Sequence, residues 1–520
     1  MSGGTAGDPS VARLVDALLI PPFPGHRAPA WVLAALAGGL GGVTVFGPNI
    51  TGPPQLGRLI ATLLAAADEP VIAIDEEGGD VTRIAHLTGS PYPGNAALGA
   101  VDDPALTEAV YRALGADLAA LGVNLNLAPS VDVNTVADNP VIGTRSFGAD
   151  ASLVARHAAA AVTGLQASGV AACAKHFPGH GSTTIDSHLV IARVDASLDL
   201  LARRDLPPFA AAIKAGVRAI MPGHLRVPEL TGDLPASLSH AALTGLLRGE
   251  LGFTGVIVSD ALEMRAVSQP YGLPEAAVLA VSAGTDLLCL GRDTDRRTYL
   301  AVRDALVAAV TAGRLPGTRL EEAAARVSEL RTWMTTARQP AGPGGSGVGL
   351  TAARRAILMT GTPPPMTDPL LVEFVPPANI AVGTVPWGLS PWLPADSVRR
   401  IATDGVSSPA GPARTAGPAS ATGVTSPAHP ADPASAAEAV LADAAGRPLL
   451  IVVRDAHRYP PAAREAVRRL LAGRPDAVLV EMGLPAWRPQ AAVYLATFGA
   501  ASASGLAAAQ RLGLTRPDVA

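Results

Sequence analysis

"VAACAKHFPGHGSTTIDSH", residues 170–188, begins as an apolar run and ends in polar punctuation. Residues 170–177 read as a strand covered on both faces, because the run is continuous rather than alternating. Lys175 and His176 stand at its end, and Pro178, Gly179 and Gly181 turn the chain into a loop. The pattern recurs. Strand-like runs lie at 17–23, 42–47, 71–76, 122–129, 170–177, 217–224, 255–261 and 284–291, with helical segments between most of them. Doubly buried strands alternating with helices specify a parallel sheet. Eight such units predict an α/β fold, a (β/α)8 TIM-type barrel, with an open doubly wound sheet as the alternative. Asp75, Glu76, Asn124, Asn126, Lys175, His176, His224 and Asp260 all fall at or near run ends. In a barrel these ends converge on one face, where barrel active sites are built.

The 520 residues are 48% hydrophobic, enough for a large core and more than one domain. A net charge of −4 and a pI near 6.2 speak against nucleic acid or an anionic membrane as the main partner. The N-terminus lacks the pattern of a signal peptide, and no apolar run is long enough to span a bilayer. Two cysteines in apolar runs, Cys173 and Cys289, read as buried free thiols. The expectation is a cytoplasmic, monomeric protein. Only two lysines occur, Lys175 and Lys214, in a chain that otherwise writes positive charge as arginine. Lys175 therefore stands out as a compact ammonium in the polar stretch.

Composition divides the chain into a barrel domain, 1–336, a Gly/Pro-rich linker, 337–350, and a C-terminal α/β domain, 351–520. The last reads as smaller and partly degenerate, with a disordered insert near 404–435. Its clearest elements are strands within 447–460, 474–485 and 493–512, and a helix over 462–473.

In the loop after residue 177, Asp186 lies two residues before His188. A carboxylate so placed can hold an imidazole in one tautomer and make it a general acid/base on a mobile loop. A turn with a surface histidine is the plainer reading. His176, His180 and His188, with Asp186 or His224, could also ligate a metal, but their spacings match no common zinc signature. Asp260 ends an apolar strand, where it can act as a nucleophile on a sugar carbon or cap a helix from Ala261 onward. Asp75 and Glu76 are adjacent in a strand, so only one faces the site. Arg83, Arg145 and Lys175 can donate hydrogen bonds to sugar hydroxyls or an anion.

The runs "DEEGGDVTR", "NLAPSVDV", "IGTRSFG", "KHFPGHGSTTIDSH", "LPASLS" and "LLRGELGFTGVIVSDALEM" resemble, in order, the β-N-acetylglucosaminidases of glycoside hydrolase family 3. The resemblance covers about residues 15–335. It implies Asp260 as nucleophile, His188 as acid/base and Asp186 as its partner. It implies Asp75, Arg83, Arg145, Lys175 and His176 as the sugar-binding set. The implied reaction is removal of terminal β-linked GlcNAc, with retention, from cell-wall muropeptide fragments. No metal or organic cofactor is implied. Two other outcomes stay open: a phosphorylase using phosphate in place of water, and a non-catalytic sugar-binding protein. The sequence departs from the family pattern at Asp80, where relatives often carry a basic residue, and at Pro222-Gly223.

Overall fold

The computed structural model describes residues 9–187, 189–337, 345–378, 380–404 and 433–514. His188, residues 338–344 of the linker and most of the 404–435 insert lie outside the described residues. The chain divides into two units: residues up to 356 with 379–386 and 501–503, and a smaller one holding the rest.

Eight parallel strands form the larger unit's barrel: β1 (Leu19–Ile20), β2 (Gly42–Val45), β3 (Val71–Ile74), β4 (Leu125–Asn126), β5 (Ala171–Phe177), β6 (Ala219–Pro222), β7 (Val256–Ile257) and β8 (Leu288–Cys289). Strands β2 to β7 pair in order. A bridge between Val258 and Leu287 carries the ladder from β7 to β8, and β8 pairs with β1. Thr44 closes the ring to β1, its N–H donating to Pro21 O and its hydroxyl to Ile20 O.

Strand alternation sorts the side chains into two buried sets. One set, including Ile20, Val71, Ala73, Leu125, Ala171, Cys173, Ala219, Val256, Val258 and Cys289, packs together inside the barrel. The other, including Leu19, Val43, Ile72, Ile74, Ala172, Ala174, Ile220, Ile257 and Leu288, packs against the surrounding helices. Burying both faces is what made the strands read as unbroken apolar runs. Val327, Leu330 and Met334, from the helix Gly317–Ala337, join the interior cluster. That helix is tied to the start of β8, where buried Asp286 accepts from Arg319 Nη2 at 2.7 Å and pairs with Arg248 and Arg326.

The interior alternation carries through to the site. Asp75 follows Val71 and Ala73 at the same parity, Lys175 follows Ala171 and Cys173, and Asp260 follows Val256 and Val258. Asn124 and Asn126 have the opposite parity, and their amides are spent on the β3 backbone. Asn124 accepts from Ile72 N at 2.7 Å and Asn126 from Glu76 N at 3.0 Å. They stitch β3 to β4 and do not join the charged residues of the mouth.

The smaller unit holds a six-stranded sheet: β9 (Leu358–Thr360), β10 (Leu370–Val375), β11 (Val398–Ala402), β12 (Leu449–Val453), β13 (Val478–Glu481) and β14 (Val493–Ala496). Its order is β9-β14-β13-β12-β10-β11, parallel except for the edge strand β9. The sequence pattern yields β12, β13, β14 and the helix Pro461–Gly473. It does not yield β9 to β11, which are separated by stretches dense in Pro and Gly.

Candidate active site

At the mouth of the barrel a single chain of alternating charges runs from the partly buried Arg83 and Asp75 to the buried Lys175, Glu77, Arg145 and His176. Lys175 Nζ lies 2.5 Å from Asp75 Oδ1 and 2.6 Å from Glu77 Oε1. Arg83 Nη2 donates to Asp75 Oδ2 at 2.8 Å and to the carbonyl of Ala381 at 3.1 Å. Arg145 grips Glu77 with two bonds, Nε to Oε2 at 2.9 Å and Nη2 to Oε1 at 2.7 Å. The same Nη2 lies 3.4 Å from His176 Nε2, and His176 Nδ1 lies 2.7 Å from Asp132 Oδ2. Asp75, Arg83, Arg145, Lys175 and His176, all expected from the sequence, thus form one connected network. Lys175 is 3% exposed, whereas Lys214 is a surface residue.

The network decides which groups carry charge. Burial works to raise the Asp75 carboxyl, but Lys175 and Arg83 outweigh it and hold it below its ordinary value. Glu77 is likewise held far down against burial by Arg145 and Lys175. Burial works to lower the Lys175 ammonium, and Asp75 and Glu77 more than reverse this. Asp132 stays ionised despite burial because His176, and then His180, face it.

Glu76 behaves differently. It points away from the network and accepts from the backbone N–H groups of Arg83 (2.7 Å) and Ile84 (3.0 Å). Burial pushes its carboxyl up to about 7. The native state therefore holds a proton that the unfolded chain releases above its ordinary value of 4.5. Stability falls as pH rises from 4.5 to 7, by on the order of 3 kcal/mol from this group. Urea melts at pH 5 and pH 7.5 check this, since Glu76→Gln removes that part of the slope. Glu481, buried in β13 and pushed up to about 8, has the same sign, so variant and parent are compared at each pH.

Two members of the network escaped the sequence reading, Glu77 and Asp132. The signal for Glu77 was available. It lies two residues beyond Asp75 in "DEEGG", so the alternation that selects Asp75 over Glu76 also favours it. Asp132 had no local signal for joining the network, since the partners that tie it there, the backbone N–H of His176 and His180 and the His176 ring, lie more than forty residues on. Ser130 and Ser146 bracket the same segment, Ser130 Oγ donating to Asp132 Oδ2 and Ser146 Oγ to Asp132 O. Asp80, buried, accepts from the Thr144 hydroxyl at 2.7 Å and so anchors the turn bearing Arg145.

Asp260 stands just past β7, partly buried, its Oδ1 accepting from Ala261 N at 2.8 Å. It does not cap a helix from Ala261. The helix begins at Arg265, after a turn over 262–264. The Cys173 thiol, inside β5, lies within electrostatic reach of both Asp75 and Asp260. His224, fully buried, braces the same turn, with Nε2 3.1 Å from Ala261 O and Nδ1 2.7 Å from Ser237 Oγ. Gly223 lets the strand end approach His176, whose Cβ would lie 3.1 Å from an added methyl. Asp186 is partly exposed on the loop after β5, and its carbonyl accepts from Leu189 N and Val190 N. His188 lies outside the described residues. Both cysteines are free and buried. Among the described residues, no three His, Cys, Asp or Glu side chains are grouped to hold a metal ion, and no helix is long and apolar enough to cross a membrane.

A cavity of about 490 Å³ opens beyond the ends of β1, β2 and β8, lined among others by Phe23, Phe46, Asn49, Arg292 and Arg297. Asn49 builds its wall, its amide donating to the carbonyls of Phe23 and Gly25 at 2.8 Å each.

A barrel mouth that sets carboxylates and cations side by side is suited to binding the hydroxyl groups of a sugar. Residues 26–330 match the model described as the glycosyl hydrolase family 3 N terminal domain, and the chain belongs to that family. Similar curated proteins include β-hexosaminidase A of Pseudoalteromonas piscicida, 34% identical over 56% of this chain and 53% of that one. Another is the β-hexosaminidase of Tolumonas auensis, 40% identical over 48% of this chain and 75% of that one. The chain thus spans about half the length of the first relative and three quarters of the second. Among solved structures, a family 3 β-N-acetylglucosaminidase from Paenibacillus sp. strain FPU-7 aligns with a TM-score of 0.81 and 30% identity, covering 97% of each chain.

Proposed function

We propose that the protein is a retaining exo-β-N-acetylglucosaminidase that removes terminal β-linked GlcNAc, with cell-wall muropeptide fragments as its source of substrate. The observation that carries this reading is the connected chain Arg83–Asp75–Lys175–Glu77–Arg145–His176 at the barrel mouth. It offers charged donors and acceptors in fixed positions to the hydroxyls of one sugar ring. The names of the relatives supply the acetamido sugar.

In this mechanism Asp260 attacks the anomeric carbon while His188, oriented by Asp186, gives its proton to the leaving oxygen. The bond from carbon to the aglycone breaks and an ester to Asp260 forms. His188, now neutral, takes a proton from water, which attacks the same carbon and expels the Asp260 carboxylate. Two inversions give net retention. No step calls for a metal or an organic cofactor.

Phosphate as acceptor is the weaker reading. Each of Lys175, Arg83 and Arg145 is already paired with Asp75 or Glu77, so the site's cations are balanced by its own carboxylates. Purified protein is assayed with p-nitrophenyl β-GlcNAc in Tris, then with added phosphate, and the sugar product identified. Free GlcNAc at a phosphate-independent rate is the expected result. GlcNAc-1-phosphate would make it a phosphorylase. No turnover by folded protein would leave only sugar binding.

A further inference from the structure

The loop that carries Asp186 and His188 has its base fastened at His180. The backbone N–H of His180 donates to Asp132 Oδ1 at 2.7 Å, and its carbonyl accepts from Asn139 Nδ2 at 2.8 Å. The next residue, Gly181, passes so close to Val133 that a Cβ would lie 1.9 Å from the carbonyl oxygen of that residue. Gly181 O also accepts from Thr135 N at 3.1 Å. Beyond this base the loop turns to the surface. Ile185, Leu189 and Val190 are 37%, 46% and 55% exposed. Ser187, between the two residues of the dyad, is buried instead at 3%. Its hydroxyl lies 2.8 Å from Nε2 of His180, which is itself 1% exposed.

We propose that His180 and Ser187 form a latch that positions the acid/base dyad. The fixed imidazole reaches across the loop to hold Ser187, the residue that follows Asp186 and precedes His188 in sequence, and so restrains the segment that carries the dyad. The proposal rests on the reading of His188 as acid/base. His180 and Ser187 are positioning residues and touch no reacting atom.

The protonation of the pair follows from its surroundings. Burial, and then the neighbouring His176, push the His180 imidazole down to about 4, so the ring is neutral at pH 7. His180 Nδ1 has no hydrogen-bond partner among the described residues. A bare lone pair there costs less than a buried N–H without an acceptor. The tautomer assigned is therefore the one in which Nε2–H donates to Ser187 Oγ. The hydroxyl proton of Ser187 stays free to point elsewhere.

The latch acts on proton donation to the leaving group, which gives it a signature that general damage to the fold lacks. A 2,4-dinitrophenolate departs without a proton, whereas a phenolate needs one. We compare kcat/KM, which reports the first bond-breaking step, for phenyl and 2,4-dinitrophenyl β-GlcNAc. In full-length Ser187→Ala the phenyl substrate is expected to lose roughly five- to ten-fold, the worth of one hydrogen bond. The dinitrophenyl substrate is expected to stay within about two-fold, and Ser187→Thr, which keeps the hydroxyl, to restore the phenyl rate. His180→Ala is expected to repeat the Ser187→Ala pattern. Equal losses on both substrates, or none on either, would overturn the latch. His188→Ala is measured alongside. A leaving-group-dependent loss there, with none in Ser187→Ala, overturns the latch alone. A loss in His188→Ala that is the same for both substrates overturns the acid/base assignment, and the latch with it.

Discussion

Asp260→Ala is expected to lose roughly 10⁴- to 10⁶-fold in kcat on p-nitrophenyl β-GlcNAc while remaining folded. The size follows from the proposed role: the other carboxylates of the mouth, Asp75 and Glu77, are already paired with Lys175, Arg83 and Arg145. Asp260 Oδ1 accepts from the adjacent Ala261 N at 2.8 Å. Circular dichroism checks that the variant is folded. Azide, small enough to enter the space left by the carboxylate, is expected to restore turnover of an activated glycoside. It would deliver the α-configured glycosyl azide, because only one inversion then occurs. A variant that retained a tenth of the parent rate would remove Asp260 from the mechanism. Stereochemistry read by proton NMR provides the second check. The parent should release β-GlcNAc first, and α-GlcNAc as the first product would exclude double displacement.

The second large effect concerns stability as much as catalysis. Glu77→Ala leaves Arg145 and Lys175 buried with half of their compensating charge gone. Both Arg145 bonds to Glu77 and one of the two Lys175 contacts disappear. Removing one partner from a buried ion pair costs about 3–5 kcal/mol, because the remaining charge stays out of water. Urea denaturation should show a loss of that size. Glu77→Gln, which keeps an acceptor for the Arg145 fork, should show a smaller one. In whatever fraction folds, kcat/KM should fall alike for good and poor leaving groups, because in the proposed function this network holds the sugar and not the departing oxygen. That uniform loss is the opposite of the pattern expected from the latch. A Glu77→Ala protein as stable as the parent would mean that Lys175 and Arg145 find water or other partners, and the account of the network would fail.

Much of this architecture is legible from one physical regularity. A strand buried on both faces shows an unbroken apolar run, and the first polar residues past its end must face the mouth. Lys175 after "VAACA" and Asp260 after "VIVS" follow from that rule, and period-two alternation separates Asp75 from Glu76. The same rule, applied without parity, wrongly grouped Asn124 and Asn126 with the site. Their amides serve the neighbouring strand's backbone, and nothing in a single strand's sequence shows what its neighbour leaves unpaired. The strands β9 to β11 were missed for a related reason. Pro-rich connections such as "TGTPPPMTDP" hide the short runs between them, and only pairing of β9 with β14, β10 with β12 and β11 with β10 makes those runs strands.

By itself, then, the sequence determined the barrel, the face on which its chemistry gathers, and Asp75 and Lys175 at that face, because burial and alternation are local and repeat with each strand; Arg83, Arg145 and His176 were legible from the motifs that hold them. The tertiary structure alone decided that Asp132 completes the charge network, that Glu76 is a buried acid held by the backbone of Arg83 and Ile84, and that His180 reaches Ser187. Those outcomes depend on which distant group lies within about 3 Å in the folded chain. At that range the balance between burial and a partner's charge sets the ionisation of each group.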